Sequence, residues 1–199
     1  MKVELLQYTS LEICAHAIRT CWQSFDNSDD GGEKDKDLIH RVGNKLKHSS
    51  TLEHLSYTFY ISGVSRALLQ ELARHRIASL SVKSTRYTLK ELSCEDLEDI
   101  DYKKYLVFTD IEAVDNASKD ALKNLKIILD SGVSNDKAKY CLPESYKTEL
   151  TWSINARSLQ NFLSLRTSKA ALWEIQDLAN AIFDTLPNEH KYLFKQCVS

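Results

Sequence analysis

The chain has 199 residues, of which 43% are hydrophobic, and it carries a formal net charge of -2. This length and apolar content suffice for one hydrophobic core, so we expect a single domain over residues 1–199. A charge so close to neutral argues against a general nucleic-acid or membrane-surface binder, which would carry a basic excess over one face. We therefore expect neither nucleic acid nor a membrane among its partners.

The cysteines are odd in number, widely spaced and without a C-x-x-C pair. They are Cys14, Cys21, Cys94, Cys141 and Cys197. This pattern predicts neither a disulfide framework nor a zinc site, and we expect no bound metal. The first ten residues lack the apolar run of a signal peptide, and no long apolar run follows them. We therefore expect a cytoplasmic location.

The first elements alternate between strand and helix. Residues 3–8 are typical of a strand, and a helix follows from Leu11 with its predicted apolar face at Ile13, Ala17, Ile18 and Cys21. Residues 26–37 are acidic and contain no apolar side chain, which predicts a mobile surface loop, either a solvated connection or a lid. Aromatic and β-branched residues over 55–62 predict a strand that ends at Gly63.

Helices dominate the rest of the chain. The remaining predicted elements are helices from about Val64, over 109–131, over 155–166 and over 170–185, and a strand over 149–154. Gly132 is a suitable stop for the long helix, and Pro187 ends the last one. The sequence thus predicts many helices around a small number of strands.

Arginines occupy positions where helical spacing calls for a hydrophobe. If the helix from Val64 continues, His75 and Arg76 return to its apolar face. In the later helix, Arg166 follows the apolar series Leu159, Phe162 and Leu163, with Asn155 on the same face. Because an unpaired buried guanidinium is costly, either the first helix ends near Arg74 or an anion meets Arg76. The recurrence predicts a shared buried anion or a subunit interface.

The basic stretch over residues 71–87 contains three arginines, a histidine and a lysine, and no carboxylate occurs from Leu72 to Lys90. Neutral donors lie among these cations, namely Ser79, Ser81, Ser84 and Thr85. Guanidinium and hydroxyl groups together suit a phosphorylated ligand. Neither glycine-rich nucleotide motif is present, so a glycine loop would not hold it. An RNA or single-stranded DNA groove is disfavoured, because Tyr87 is the only aromatic residue in the stretch.

Residues 48–54, His-Ser-Ser-Thr-Leu-Glu-His, allow two interpretations. Ser50 and Glu53 have the spacing of a capping box, which would start a helical turn. A metal site would use His48, Glu53 and His54, but this spacing fits no standard zinc pattern. The capping box is therefore the favoured interpretation.

Three motifs, in the same order, resemble those of the flavin-dependent thymidylate synthases. Residues 74–87 follow the pattern R-H-R, seven residues, S-x-R-Y, and residues 48–54 resemble the element H-x-[ST]-x-x-E-H. Residues 152–166, WSINARSLQNFLSLR, resemble W-x-x-N-A-R-S-x-x-N-F-x-x-x-R and precede WEIQ. The resemblance covers nearly the whole chain.

The resemblance implies a fold as well as a reaction. The fold would be α+β, a twisted, mostly antiparallel sheet flanked by helices in one helix-rich domain. The assembly would be a homotetramer with active sites shared between subunits. The reaction would convert dUMP to dTMP, with FAD as cofactor, NADPH as reductant and methylenetetrahydrofolate as one-carbon donor.

The resemblance also assigns residues to two ligands. The positions that match flavin-binding residues are His48, Ser50, Glu53, Arg74, His75, Arg76, Asn155 and Asn161. The positions that match nucleotide-binding residues are Glu71, Arg74, Ser84, Arg86, Lys139 and Arg166. Ser84 and Arg166 would be catalytic, and Ser84 would polarise the substrate rather than attack it, since no base accompanies it in the sequence. Arg86 and Arg166 would hold the phosphate and the uracil.

Two positions depart from the family pattern. Val82 stands where many relatives have an acidic or amide residue, and Ala170 stands where a histidine is frequent. None of the cysteines lies in a matching motif, so reduced flavin and protein electrostatics would replace a catalytic thiol. The departures leave one alternative open, a non-catalytic regulatory protein that binds a nucleotide or a flavin.

Overall fold

The computed structural model describes residues 1–198. Its strands are β1 (Lys2–Tyr8), β2 (Ser56–Ser65), β3 (Ala78–Val82) and β4 (Lys147–Asn155). Its helices are α1 (Leu11–Thr20), α2 (Glu33–Ile39), α3 (Arg66–Leu72), α4 (Thr85–Thr88), α5 (Lys90–Ser93), α6 (Tyr102–Tyr105), α7 (Glu112–Asp130), α8 (Asn135–Ala138), α9 (Ala156–Arg166) and α10 (Trp173–Thr185). Within these residues, no helix combines the length and apolar character that crossing a membrane requires.

The strands form one sheet in the order β1-β2-β4-β3. The end of β1 meets the start of β2, where Thr9 N donates to Ser56 O at 2.9 Å. The end of β4 meets the same end of β2, where Ala156 N donates to Leu55 O at 2.8 Å. Both pairs are therefore antiparallel. The predicted α+β class, helix-rich around a mostly antiparallel sheet, is confirmed.

Contacts between residues divide the chain into two compact units. Unit 1 contains residues 1–61, residues 71–80 and the carboxyl-terminal part from Thr151, and unit 2 contains residues 62–70 and 81–150. The expectation of one domain over residues 1–199 stays a prediction.

The core of unit 1 joins α9 to the sheet through aromatic side chains. Trp152 on β4 is fully buried and lies 6.2 Å from the ring of Phe59 and 5.0 Å from the ring of Phe162, between centroids. Phe162 belongs to α9, and its neighbour Leu163 is also fully buried. The contact with Phe162 is edge-to-face, an arrangement that adds to the free energy of burial. This packing fixes α9, and with it the side chains near its carboxyl end.

The core of unit 2 forms around α7. Leu122 and Leu125 are fully buried on one face of this helix, and they belong to a cluster that includes Leu89 and Leu92. The helix ends before Gly132, whose φ of +84° suits glycine, as the sequence predicted. The cluster anchors the segment that follows β3.

The buried face of α1 differs from the predicted one. Ile13 is 50% exposed and Cys21 is also exposed. The face that is buried consists of Leu11, Cys14, Ala15 and Ile18, together with Arg19. The prediction failed because Arg19, a charged residue, belongs to the inner face and finds a carboxylate there.

That carboxylate is Asp35, which lies in the segment predicted as a mobile surface loop. Asp35 is fully buried and accepts hydrogen bonds from Arg19 Nε at 3.1 Å, Ser28 Oγ at 2.8 Å and Gly31 N at 3.0 Å. Asp29 accepts from the backbone N–H groups of Lys34 and Asp35 and so satisfies the start of α2. The prediction of a loop is wrong for residues 33–37, which belong to α2. The sequence pattern did not show this, because Asp35 is buried through its ion pair with Arg19 and not through apolar contacts.

Elements around the basic stretch also differ from the prediction. Strand β2 continues past Gly63, whose φ is +72°, and its buried residues shift by one position there, as at a β-bulge. Helix α3 begins at Arg66 and ends at Leu72, before Arg74. The chain then enters β3, a strand that the sequence did not predict.

Candidate active site

A cleft of about 400 Å³ in unit 1 brings together most of the basic residues singled out by the sequence. Its lining includes Arg74, His75, Arg76, Asn161, Arg166 and Ala170. The first three follow the end of α3, and the last three come from α9 and the segment after it. Residues far apart in sequence thus converge on one concave surface, as is typical of a small-molecule site.

Arg166, the last residue of α9, is the most enclosed of the three arginines, and its side chain is 17% exposed. Its Nη1 lies 2.9 Å from Glu71 Oε2, and its Nε donates to His75 Nε2 at 2.8 Å. A carboxylate of the same chain therefore compensates the guanidinium on the apolar stripe. Glu71 thus supplies one anion for Arg166 from within the protein.

His75 is buried, and its ring meets that of Phe162 edge-on at 5.0 Å between centroids. Burial, together with the positive charges of Arg166 and Arg74, lowers the pKa of His75 to about 4, with the negative charge of Glu71 opposing them. The imidazole is therefore neutral at physiological pH. Because Nε2 accepts a hydrogen bond, we assign the proton of the ring to Nδ1.

Arg74 and Arg76 are exposed. Arg74 Nη1 lies 3.5 Å from Glu71 Oε1, so Glu71 stands between two guanidinium groups. Of the two sequence alternatives, the structure has the one in which α3 ends early, and no core position receives Arg76. Both arginines are instead available to a ligand in the cleft.

The two asparagines on the α9 segment have different positions. Asn155 precedes the helix, and its side chain accepts a hydrogen bond from Ser158 N at 2.9 Å, which caps the helix. Asn161 is exposed and lines the cleft. Only Asn161 therefore faces the same space as the arginines.

The turn Ser49–His54 contains three other predicted flavin residues. The residue that precedes this turn is His48 rather than Ser50, and the His48 side chain makes no capping hydrogen bond. The predicted capping box of Ser50 and Glu53 therefore does not start this turn. Glu53 instead pairs with Arg157 on α9 at 2.7 Å, and Ser50 is exposed. His48 lines a second cleft in unit 1, of about 1050 Å³. Across residues 1–198, no three potential metal ligands lie close enough to bind an ion.

The other predicted nucleotide residues belong to unit 2. Arg86 on α4 makes a two-pronged contact with Asp136 on α8, through Nε and Nη2, and both side chains are more than half exposed. Ser84 is exposed and directly precedes α4, and Lys139 is half-buried in the turn after α8. Val82, one of the departures from the family pattern, is 38% exposed at the end of β3.

Sequence reasoning missed two of these partners. Asp136 and Arg157 hold candidate site residues, yet neither is near its partner in the chain. No spacing rule pairs residues 50 or more positions apart, so no signal in a single sequence could have found them.

The family model described as thymidylate synthase complementing protein matches residues 4–190 of this chain. The chain therefore belongs to this family, as its motifs predicted.

Relatives of this chain carry the name of one particular enzyme of the family. The chain is 69% identical to the flavin-dependent thymidylate synthase of Wolinella succinogenes over 198 residues, covering 98% of this chain and 97% of the relative. It is 64% identical to the enzyme of that name from Campylobacter jejuni, covering 100% of this chain and 98% of the relative. Both are named flavin-dependent thymidylate synthase, so the predicted enzyme class is confirmed.

Solved structures give the same family. Thymidylate synthase X from Helicobacter pylori, crystallised with FAD and dUMP, superimposes on the chain with a TM-score of 0.94 at 58% identity. The match covers 100% of both chains. Membership of an enzyme family at this identity weighs against the regulatory alternative left open by Val82 and Ala170.

Proposed function

We propose that this chain binds FAD and converts dUMP to dTMP, with methylenetetrahydrofolate as one-carbon donor and NADPH as reductant. The observation that carries the proposal is the arginine-lined cleft in unit 1. It occurs in a chain that is 58% identical to a Helicobacter pylori structure with FAD and dUMP. Three guanidinium groups suit ligands that carry phosphate.

The residues of the cleft fit part of FAD. Arg74, Arg76 and the amide of Asn161 offer the charged and neutral donors that a pyrophosphate requires. A volume of about 400 Å³ is typical of a drug-sized ligand and smaller than FAD, so one protomer would enclose only part of the cofactor. Open sites of this kind support the proposal of a homotetramer with shared active sites.

The flavin would be held by residues from two segments of unit 1. Arg74, His75, Arg76 and Asn161 would contact it in the cleft, and His48, Ser50, Glu53 and Asn155 are the further candidates. When bound and reduced by NADPH, FAD supplies the reducing equivalents that form the methyl group. The exposed guanidinium groups would orient it by charge.

The nucleotide would be held by Arg166 and Arg86, with Glu71, Arg74, Ser84 and Lys139 as the other candidates. A guanidinium directed at a uracil carbonyl stabilises the negative charge that develops as C5 becomes nucleophilic. Ser84 would add a neutral donor. The protein's own contribution is therefore orientation and polarisation.

Cysteine chemistry is not part of this proposal. Burial raises the pKa of Cys14 to about 12, which keeps this thiol protonated, and Cys197 is also buried. The exposed cysteines are Cys21, Cys94 and Cys141. Among the residues that line the cleft, none is a cysteine. Uracil activation would thus proceed without a protein thiol.

The test is the visible spectrum of the purified protein with FAD under anaerobic conditions. NADPH should bleach the oxidised flavin band, and the band should return only when dUMP and methylenetetrahydrofolate are both added. Omission of either substrate is the control. A protein that binds FAD and dUMP but never restores the band would contradict the proposal. Gel filtration with light scattering, together with fractionation of the source cells, tests the tetramer and the cytoplasmic location.

A further inference from the structure

The surroundings of Arg166 leave a defined set of donors for a ligand. A guanidinium carries five N–H groups. The N–H on Nε donates to His75 Nε2, and Nη1 lies 2.9 Å from Glu71 Oε2 in an ion pair. Within residues 1–198, neither N–H of Nη2 has a hydrogen-bond partner, so both remain for a ligand. Arg166 lines the cleft.

The two anchors of Arg166 differ in charge. Glu71 is an anion, and it also lies 3.5 Å from Arg74. The buried imidazole of His75 accepts its hydrogen bond while neutral, because burial first and the neighbouring arginines next lower its pKa to about 4. A neutral acceptor holds a guanidinium without cancelling its positive charge. Arg166 therefore keeps more of its attraction for an anionic ligand than a second carboxylate would allow.

His75 is itself held in place. Its backbone N donates to Leu72 O at 3.0 Å, at the end of α3, and its ring lies edge-on against the fully buried Phe162. Phe162 is on α9, the same helix that carries Arg166. The acceptor atom and the guanidinium are thus fixed to one packed element.

We propose that His75 is a positioning residue that sets the plane of the Arg166 guanidinium for the nucleotide. Contacts at Nε and at Nη1, together with the covalent bond from Nε to Cδ, give three points in the plane of a rigid group, and together they fix its orientation. The remaining N–H groups are then oriented before the ligand arrives, which spares the ordering cost on binding. This inference rests on the proposed function and gives His75 a role through Arg166 rather than through the flavin alone.

The first experiment compares His75→Ala with His75→Gln in FAD-saturated protein. An amide oxygen at the end of Gln reaches the position of Nε2 and accepts a hydrogen bond without charge. We expect His75→Ala to weaken dUMP binding about tenfold or more by calorimetry, as for loss of a hydrogen bond to a charged group. His75→Gln should stay within about threefold of the wild type. A Gln variant no better than Ala would overturn the proposal.

The second experiment repeats the change in an Arg166→Lys background. Lysine keeps the positive charge but has no Nε for His75 to orient. If His75 acts through Arg166, His75→Ala should lower dUMP affinity less than about twofold in this background. An equal loss in both backgrounds would show that His75 acts independently. A loss of FAD affinity alone, with dUMP binding unchanged at saturating FAD, would also overturn the proposal.

Measuring turnover of the wild-type protein tests the proposed function independently of the role of His75. A wild-type protein that binds dUMP but produces no dTMP contradicts the proposed reaction, whereas the binding cycle still decides the role of His75. Circular dichroism of each variant confirms that the fold is retained.

Discussion

Removal of the Asp35 carboxylate should destabilise the protein strongly. Asp35 is fully buried, and its main partner Arg19 is 6% exposed. In Asp35→Ala, the one partner that this guanidinium keeps within residues 1–198 is the Ser24 carbonyl, 3.3 Å from Nη1, while Gly31 N and Ser28 Oγ also lose their acceptor. Breaking one side of a buried ion pair typically costs about 3–5 kcal/mol. We therefore predict a fall of about 4 kcal/mol in the free energy of unfolding.

The measurement is equilibrium urea denaturation followed by tryptophan fluorescence, at one fixed protomer concentration because assembly shifts apparent stability. The matched control is Glu33→Ala in the same helix. Glu33 pairs with Lys36 at 2.7 Å, but its side chain is 86% exposed, so its loss should cost less than about 1 kcal/mol. If Asp35→Ala costs no more than Glu33→Ala, the reasoning from burial is refuted.

The same pair gives a pH dependence. Burial opposes ionisation of Asp35, but the hydrogen bonds from Arg19, Gly31 and Ser28 outweigh it and hold the pKa of the carboxyl below its usual value. The resulting stability is present above the unfolded pKa of about 3.9 and is lost as the pH falls through the lower, folded pKa. In the variant Asp35→Asn, this part of the acid sensitivity should be absent.

Three further predictions concern the site and the core. Arg166→Ala should abolish dUMP-dependent turnover with the fold intact, while Lys169→Ala, an equal charge change at an exposed neighbour, should leave turnover near wild type; normal activity in the first would count against the assignment. Ser84→Cys should stay partly active if Ser84 only polarises the substrate, and a covalent dUMP adduct at that position, seen by mass spectrometry, would contradict this. His190 is 1% exposed with the Tyr57 hydroxyl 2.8 Å from Nδ1, and burial lowers its pKa to about 4. The unfolded histidine takes up its proton near pH 6.5, so unfolding should become easier by roughly 3 kcal/mol as the pH falls from there to about 4. In His190→Gln this slope should flatten, and an unchanged slope in urea titrations would exclude the histidine as its source.

The regular elements with clean apolar periodicity could be predicted from the sequence. Strand β4 alternates Leu150, Trp152 and Ile154, and all three are buried as predicted. The long helix α7 and its stop before Gly132 were also predicted closely. In these elements the local pattern and the core agree, so one sequence is enough.

The errors in α1 and α2 fall where charges replace hydrophobes inside the protein. Arg19 and Asp35 are buried because each compensates the other, and nothing in the local pattern of either segment shows that the partner exists. Strand β3 was missed because its sequence, Ala-Ser-Leu-Ser-Val, is short, two of its five residues are polar, and none of them is fully buried. Its existence depends on pairing in the sheet rather than on its own composition.

The candidate site was predicted in composition but not in arrangement. Arg166 was recognised as anomalous on its helix, yet its two anchors, Glu71 and His75, depend on the chain turning after α3. A single sequence records which residues are unusual. It does not record which of them meet.

The charge of the cleft has a consequence for the end of the proposed reaction. Arg166 and Arg74 line the cleft and are among the residues proposed to hold the nucleotide, and dUMP and dTMP carry the same phosphate. The two nucleotides differ by one methyl group, whose transfer from water into an apolar contact is worth about 0.8 kcal/mol. A cleft that binds by charge therefore holds substrate and product with similar affinity, because the methyl group changes neither the phosphate nor the charge. The enzyme should accordingly be inhibited by the dTMP it makes, so that its rate follows the ratio of the two nucleotides rather than the level of dUMP alone.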